Sequence, residues 1–78
     1  MILVRGGCGF TGARFVLDWL AARDEPLLNL DALTYAAQPQ ALAPVERDAR
    51  YRFVHGDVRD RALVDALLAE HRPRAIVH

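Results

Sequence analysis

Short apolar runs alternate along the chain with longer stretches of helical period. A run without polar alternation suits a strand covered on both faces, as in a parallel sheet packed between helices. The runs at Ile2–Arg5, Leu27–Asp31, Tyr51–His55 and residues 74–78 each have about the usual strand length of four or five residues. Residues 11–22 predict a helix. Phe15 with Trp19 and Val16 with Leu20 form i, i+4 rows beside Arg14 and Asp18, so this stripe is expected on the sheet, with Phe15 and Trp19 in the core. Residues 61–71 repeat the arrangement through Leu63 with Leu67 and Val64 with Leu68, with Asp60 placed as N-cap and Pro73 as the stop. Pro39 and Pro44 interrupt residues 38–48, where Ala41, Leu42 and Val45 give only a short apolar face, and a loop with one or two helical turns is expected. Right-handed crossovers then give an α/β fold with a doubly wound parallel sheet of four strands, ordered 3-2-1-4.

The chain has 78 residues and a formal net charge of +0, which confines it to one small domain, since single domains run to about 100–200 residues. At this size only about 60–65% of the unfolded surface is buried on folding, so a partial domain fits the length as well as a complete one. Hydrophobic residues make up 53% and charged residues 26%, a globular balance that excludes disorder. No stretch carries the roughly 18–20 apolar residues of a membrane span, so no membrane partner is expected. All 10 basic side chains are arginines, and they form no basic block of the kind that marks a nucleic-acid partner. Cys8 stands alone and cannot form an internal disulfide, and the first residues lack signal-peptide features, which together predict a cytoplasmic protein.

The first predicted strand runs directly into Gly6-Gly7-Cys8-Gly9-Phe10-Thr11-Gly12 and then into a helix, the setting of a dinucleotide-binding fingerprint. The spacing reads in two registers, Gly6, Gly9 and Gly12 at intervals of three, or Gly7, Gly9 and Gly12 as G-x-G-x-x-G, and the sequence leaves both open. In either, an early glycine permits a sharp turn, Gly9 removes a Cβ that would block a pyrophosphate, and Gly12 lets helix and strand approach. The first helix amides have no internal partners and carry about half a positive charge, so an anionic diphosphate satisfies donors and dipole together. Asp31 closes the second strand at roughly the 20-residue offset expected of a carboxylate on the adenosine ribose hydroxyls. It would repel a 2′-phosphate, favouring NAD over NADP unless an arginine lies nearby. Asp57 and Val58 follow the third strand at the same sheet edge, where they are placed to line adenine, while Asp57 also fits a turn opening or a helix cap. Cys8 suits a small apolar filler, with a depressed thiol pKa as the alternative. His55, His71 and His78 are too scattered to suggest a metal site.

With Gly6 to Gly12, Asp31 and Asp57 in place, the whole chain resembles the N-terminal end of the extended short-chain dehydrogenase/reductases, above all the dTDP-glucose 4,6-dehydratases. Asp31-Ala32-Leu33-Thr34-Tyr35-Ala36 is similar to that family's Asp-Lys-Leu-Thr-Tyr-Ala segment, and residues 51–60 and 71–78 follow the family without an evident gap. The resemblance implies a Rossmann-type NAD site. Gly6, Gly9 and Gly12 would shape the loop, Phe10 and Thr11 would lie against the pyrophosphate, and Asp31 would hold the ribose. Ala32, Leu33 and Thr34 would border the adenosine, with Asp57 and Val58 at the adenine. It further implies a homodimeric parent enzyme with a nucleotide-sugar substrate, which oxidises the sugar C4 hydroxyl, eliminates water across C5 and C6 and returns the hydride to C6. Another nucleotide-sugar epimerase or dehydratase shares the loop and Asp31, and a non-catalytic NAD-sensing module would also use them.

Several positions depart from the family. Arg5 stands in place of threonine, Thr11 of isoleucine, Ala32 of lysine and Ala37-Gln38 of Gly-Asn, and Arg5 is expected either to pair with phosphate or to strain the turn. The family's Tyr-x-x-x-Lys pair, a general acid–base device, is absent, because the chain contains no lysine. The family's Asp-Glu dehydration pair has no place here either. No catalytic residue is therefore expected in residues 1–78, which read as an N-terminal fragment of a longer dehydratase, inactive alone. Ile76 and Val77 would lack cover, and the isolated piece is expected to be loosely packed and to bind NAD weakly or not at all.

Overall fold

In a computed structural model the elements follow in the order β1 (Ile2–Arg5), α1 (Phe10–Ala22), β2 (Leu27–Asp31), a 3-10 helix (Pro39–Val45), β3 (Tyr51–His55), α2 (Arg61–His71) and β4 (Ala75–Val77). The structure describes all residues except 8, 34–38 and 78, and only the backbone of Phe10 and Pro39. All strands pair in parallel, in the order β3-β2-β1-β4, the expected Rossmann-type arrangement. Because the chain leaves β1 toward β2 and returns on its other side as β4, the topological switch point lies between β1 and β4, where open α/β sheets bind ligands.

Strand alternation divides the core into two layers. Ile2, Val4 and Leu27 face Ala13, Val16 and Leu20 of α1, with Leu42 of the 3-10 helix and Tyr51 completing that side. Leu3, Leu28 and Leu30 face the opposite way, onto Leu67 of α2. All five positions of β2 are buried, which explains why its sequence shows no polar alternation.

The helices depart from the sequence reading in detail. α1 begins at Phe10, one residue earlier than expected, with Gly9 as an N-cap that offers no side chain. Its innermost row is Ala13, Val16 and Leu20, whereas Phe15 and Trp19 are half-buried at the rim of the core. The indole needs an acceptor, which deep burial would deny it. At the rim Trp19 Nε1 donates to the Glu25 carbonyl at 3.0 Å, the Phe15 ring stacks on it at 5.9 Å and the Arg23 guanidinium lies over it at 4.6 Å. α2 matches its expected limits. The Asp60 carboxylate accepts the Leu63 N–H at 3.1 Å, and Arg72, left-handed at φ 47, closes the helix before Pro73 with its N–H on the Leu68 carbonyl. β4 is described over Ala75–Val77 and starts one residue later than expected. Arg74 lies just before it, its N–H on the Met1 carbonyl and its guanidinium clamping Glu25 at 2.6 and 2.7 Å. His78 lies outside the described residues. Among the described residues no helix is long and apolar enough to cross a membrane.

Candidate functional site

The turn after β1 is built almost entirely from backbone. Gly6 sits at φ +77, a conformation L side chains rarely adopt. Its N–H donates to the Leu30 carbonyl at 2.9 Å and its carbonyl accepts the Gly9 N–H at 3.2 Å, so β2 fixes where the turn starts. A Cβ on Gly12 would run into the Gly6 carbonyl oxygen and come within 2.9 Å of Gly7 Cα, which shows how closely α1 approaches the turn. A Cβ on Gly7 would run into the Asn29 side-chain amide. Both registers read in the sequence therefore describe real constraints, since Gly6 is required by its backbone conformation and Gly7 by its neighbour. Gly9 differs. Its backbone is extended, at φ -73 and ψ 169, and a Cβ there would meet nothing closer than the Gly6 oxygen at 3.5 Å, an ordinary contact.

A cleft of about 450 Å³ opens beside this turn. It is lined by Val4 and Arg5 at the end of β1, by Val77 of β4, and by Gly6, Gly9, Thr11, Gly12 and Phe15 of the turn and α1. It thus lies at the switch point of the sheet. The first-turn amides of α1 have no helical carbonyl to bond, and no acidic side chain occupies that turn, so an anion meets partial positive charge there without a competing carboxylate. Arg5 keeps its strand pairing with Leu30 and is among the residues that line the cleft.

Asp31, Ala32, Leu33, Asp57 and Val58 stand along the same carboxyl edge of the sheet, outside the described lining of the cleft. Asp31 is buried at the end of β2. Its Oδ1 accepts the Leu33 N–H at 2.8 Å, an Asx turn that holds Leu33 at φ 54, and its carbonyl accepts the Gly56 N–H at 3.0 Å. Ala32 is exposed, with its carbonyl 3.1 Å from His55 Nε2, while Leu33 packs against the α1-side core. Thr34 lies outside the described residues, as does Cys8. Asp57 opens the turn into α2: its carbonyl accepts the Asp60 N–H at 2.9 Å, and its Oδ1 accepts the Arg59 N–H at 2.8 Å. The Arg59 guanidinium grips both carboxylate oxygens, Oδ1 at 3.1 Å and Oδ2 at 2.7 Å, and these hydrogen bonds hold the Asp57 carboxyl at about 2, below its ordinary 3.8. The turn-opening role of Asp57 is thus present in the fold. Val58 turns its side chain to the α2-side core.

Sequence reasoning missed Asn29 and Tyr51. Asn29 is 0% exposed in the middle of β2. Its Oδ1 accepts the Gly7 N–H at 2.9 Å and its Nδ2 donates to the Tyr51 hydroxyl at 3.1 Å. The available signal was a single amide in the otherwise apolar run Leu27-Leu28-Asn29-Leu30.

Comparison with known proteins agrees with this architecture. The dTDP-glucose 4,6-dehydratase of Xanthomonas campestris pv. campestris (strain B100) is 49% identical over 76 residues, covering 97% of this chain and 21% of the relative. The Escherichia coli enzyme of the same name is 38% identical, covering 99% and 21%. Among solved structures, a double mutant of the Streptomyces venezuelae dTDP-glucose 4,6-dehydratase with NAD bound superposes with a TM-score of 0.91 at 44% identity, covering all of this chain and 25% of that one. The Bacillus anthracis enzyme in complex with NAD gives 0.91 at 32% identity, covering 96% and 24%. The chain therefore spans about a fifth of the length of the curated relatives, 21% in both. Residues 2–78 match the family described as NAD dependent epimerase/dehydratase, and the chain belongs to that family.

Proposed function

We propose that residues 1–78 are the first part of the NAD-binding domain of a nucleotide-sugar dehydratase of the dTDP-glucose 4,6-dehydratase type, whose remaining cofactor and substrate regions lie outside this sequence. The observation that carries the reading is Gly9. Gly6, Gly7 and Gly12 each have a neighbour or a backbone conformation inside the chain that demands glycine, whereas among the described residues Gly9 has none, and it lines the cleft. A side chain is absent there for the benefit of something outside the chain, and the first-turn amides beside it select a diphosphate. Gly6, Gly9, Phe10, Thr11 and Gly12 would hold the pyrophosphate, Asp31 the adenosine ribose, Ala32, Leu33 and Thr34 the flank of the adenosine, and Asp57 and Val58 the adenine. NAD, when bound, supplies a hydride acceptor for the sugar C4 position. The residues of this chain orient it and keep its diphosphate neutralised, and the acid–base groups come from elsewhere in the parent, so the 78 residues alone are inactive. On the family resemblance the parent would act on its nucleotide sugar as a cytoplasmic homodimer.

Gly9→Val in the full-length protein tests this reading. A valine fits the extended backbone but caps a helix less well than glycine, so unliganded stability is expected to fall by only about 1 kcal/mol. NAD affinity is expected to fall at least about tenfold, or ~1.4 kcal/mol, in a calorimetric titration. Unchanged affinity would show that the cleft holds no dinucleotide. Formation of a 4-keto-6-deoxy product from dTDP-glucose by the unmutated full-length protein tests the substrate assignment separately.

A further inference from the structure

The buried amide of Asn29 does not line the cleft. A strand interior of Leu27, Leu28 and Leu30 would be filled more cheaply by another aliphatic residue, because an amide removed from water is destabilising unless its groups find partners. Asn29 finds them on two separate elements, the Gly7 N–H in the turn at 2.9 Å and the Tyr51 hydroxyl on β3 at 3.1 Å. The three atoms nearest to a Cβ built on Gly7 all belong to the Asn29 side chain. That side chain cannot swing aside without breaking its bond to the buried Gly7 N–H.

We infer that Asn29 is a positioning residue for the diphosphate loop, and that Gly7 is glycine because Asn29 lies against it, not because a ligand needs the space. This rests on the NAD reading above. The bond between Asn29 and Gly7 joins the turn to the middle of β2, in addition to the bond from Gly6 N–H to the Leu30 carbonyl. It consumes the Gly7 donor inside the protein and leaves the amides at the start of α1 to meet the ligand, a preorganised arrangement that binding need not build.

A double-mutant cycle in the full-length protein separates the two explanations of Gly7. Gly7→Ala alone is expected to weaken NAD binding at least about tenfold, since the new methyl displaces the Asn29 amide. With Asn29→Ala already in place, the same change is expected to cost less than about threefold. An equal loss in both backgrounds would mean that Gly7 serves the ligand, and would overturn the inference. Asn29→Ala alone is expected to lower NAD affinity about tenfold while leaving adenosine binding within about threefold, because adenosine does not use the loop. A matching loss for both ligands would reveal a merely structural residue, again overturning the inference, and this arm holds even where Gly7→Ala fails to fold. Tyr51→Phe keeps the bond between Asn29 and Gly7 and is expected to change NAD affinity less than about threefold. A loss as large as that of Asn29→Ala would place the function in the link between β2 and β3 instead. Failure of the unmutated protein to bind NAD would sink the functional reading itself, a result distinct from any pattern among the variants.

Discussion

The two halves of the chain are packed unequally, the first supplying the inner strands of the sheet and the second its two edge strands. In the β1–α1–β2 half, every position of β2 and the first three of β1 are buried, and α1 sets Ala13, Val16 and Leu20 directly on them. In the β3–α2–β4 half, α2 buries only Leu67, β3 leaves Phe53 40% exposed and β4 leaves Ile76 46% exposed. The glycine turn springs from the first half and is bonded to its strands. The backbone of the turn that would meet a diphosphate is therefore held mainly by contacts within residues 1–31, while the outer strands carry apolar surface and reach the site only through Val77 in the cleft lining and the Tyr51 hydroxyl on Asn29. Local stability varies across a fold in this way, and a rigid site belongs on its most stable part.

The sharpest way to break this comparison is to strike the joint of the first half. The Cβ of Gly12→Val would meet the Gly6 oxygen and Gly7 Cα, backbone atoms that cannot rotate away. The expected outcome is a destabilisation of about 3 kcal/mol or more in urea unfolding, together with loss of NAD binding. A variant that kept full stability would show that α1 does not rest on the turn as tightly as described.

A matched pair of truncations compares the halves directly. Leu20 and Leu67 are both leucines, both nearly inaccessible, and both face the sheet from a helix, but Leu20 belongs to the larger, α1-side cluster and Leu67 to the smaller one beneath α2. Leucine-to-alanine changes in cores cost about 2–5 kcal/mol, more where surroundings cannot relax. Leu20→Ala is expected near ~4 kcal/mol and Leu67→Ala near ~2 kcal/mol by urea midpoint. Equal losses would erase the distinction.

Much of this architecture was legible because it depends on period. The limits of β1, β2, β3 and α2 follow from apolar runs, from Asp60 as a cap and from Pro73 as a stop, all of them local signals. The start of α1 was harder to place because its cap is Gly9, which has no side chain to announce it. The inner row was misjudged because periodicity gives the direction of a stripe but not its centre. Small Ala13 sits where the helix comes closest, while the larger Phe15 and Trp19 are pushed to the rim. The contact between Gly7 and Asn29 spans 22 residues. One sequence shows the odd amide in β2 but not the turn it faces. Asp57 and Arg59 were each visible, yet only the folded turn shows that one neutralises the other.

The smallest expected effect concerns the tie between the halves. Glu25 precedes β2 and Arg74 precedes β4, and their two-pronged pairing at 2.6 and 2.7 Å, joined by the Met1 ammonium at 3.1 Å, links the halves at the sheet edge opposite the cleft. Chiefly through the Arg74 hydrogen bonds, the Glu25 carboxyl is held at about 2, against an ordinary 4.5. The folded chain then binds a proton at Glu25 more weakly than the unfolded chain does, so the pairing stabilises the fold fully above about pH 5 and loses its effect as pH falls from 4.5 through about 2. Asp48 beside Arg50 and Asp57 beside Arg59, each also held near 2 against 3.8, titrate in a similar window, but their partners lie two residues away within the same turn. Protonating them loosens turns and leaves the halves joined. Arg74→Gln is therefore expected to flatten part of the acid-side fall in melting temperature and, at pH 7, to speed hydrogen exchange in β4 more than in β2. Equal acceleration in both strands would mean that the ion pair stabilises the fold as a whole, and that the two halves open together.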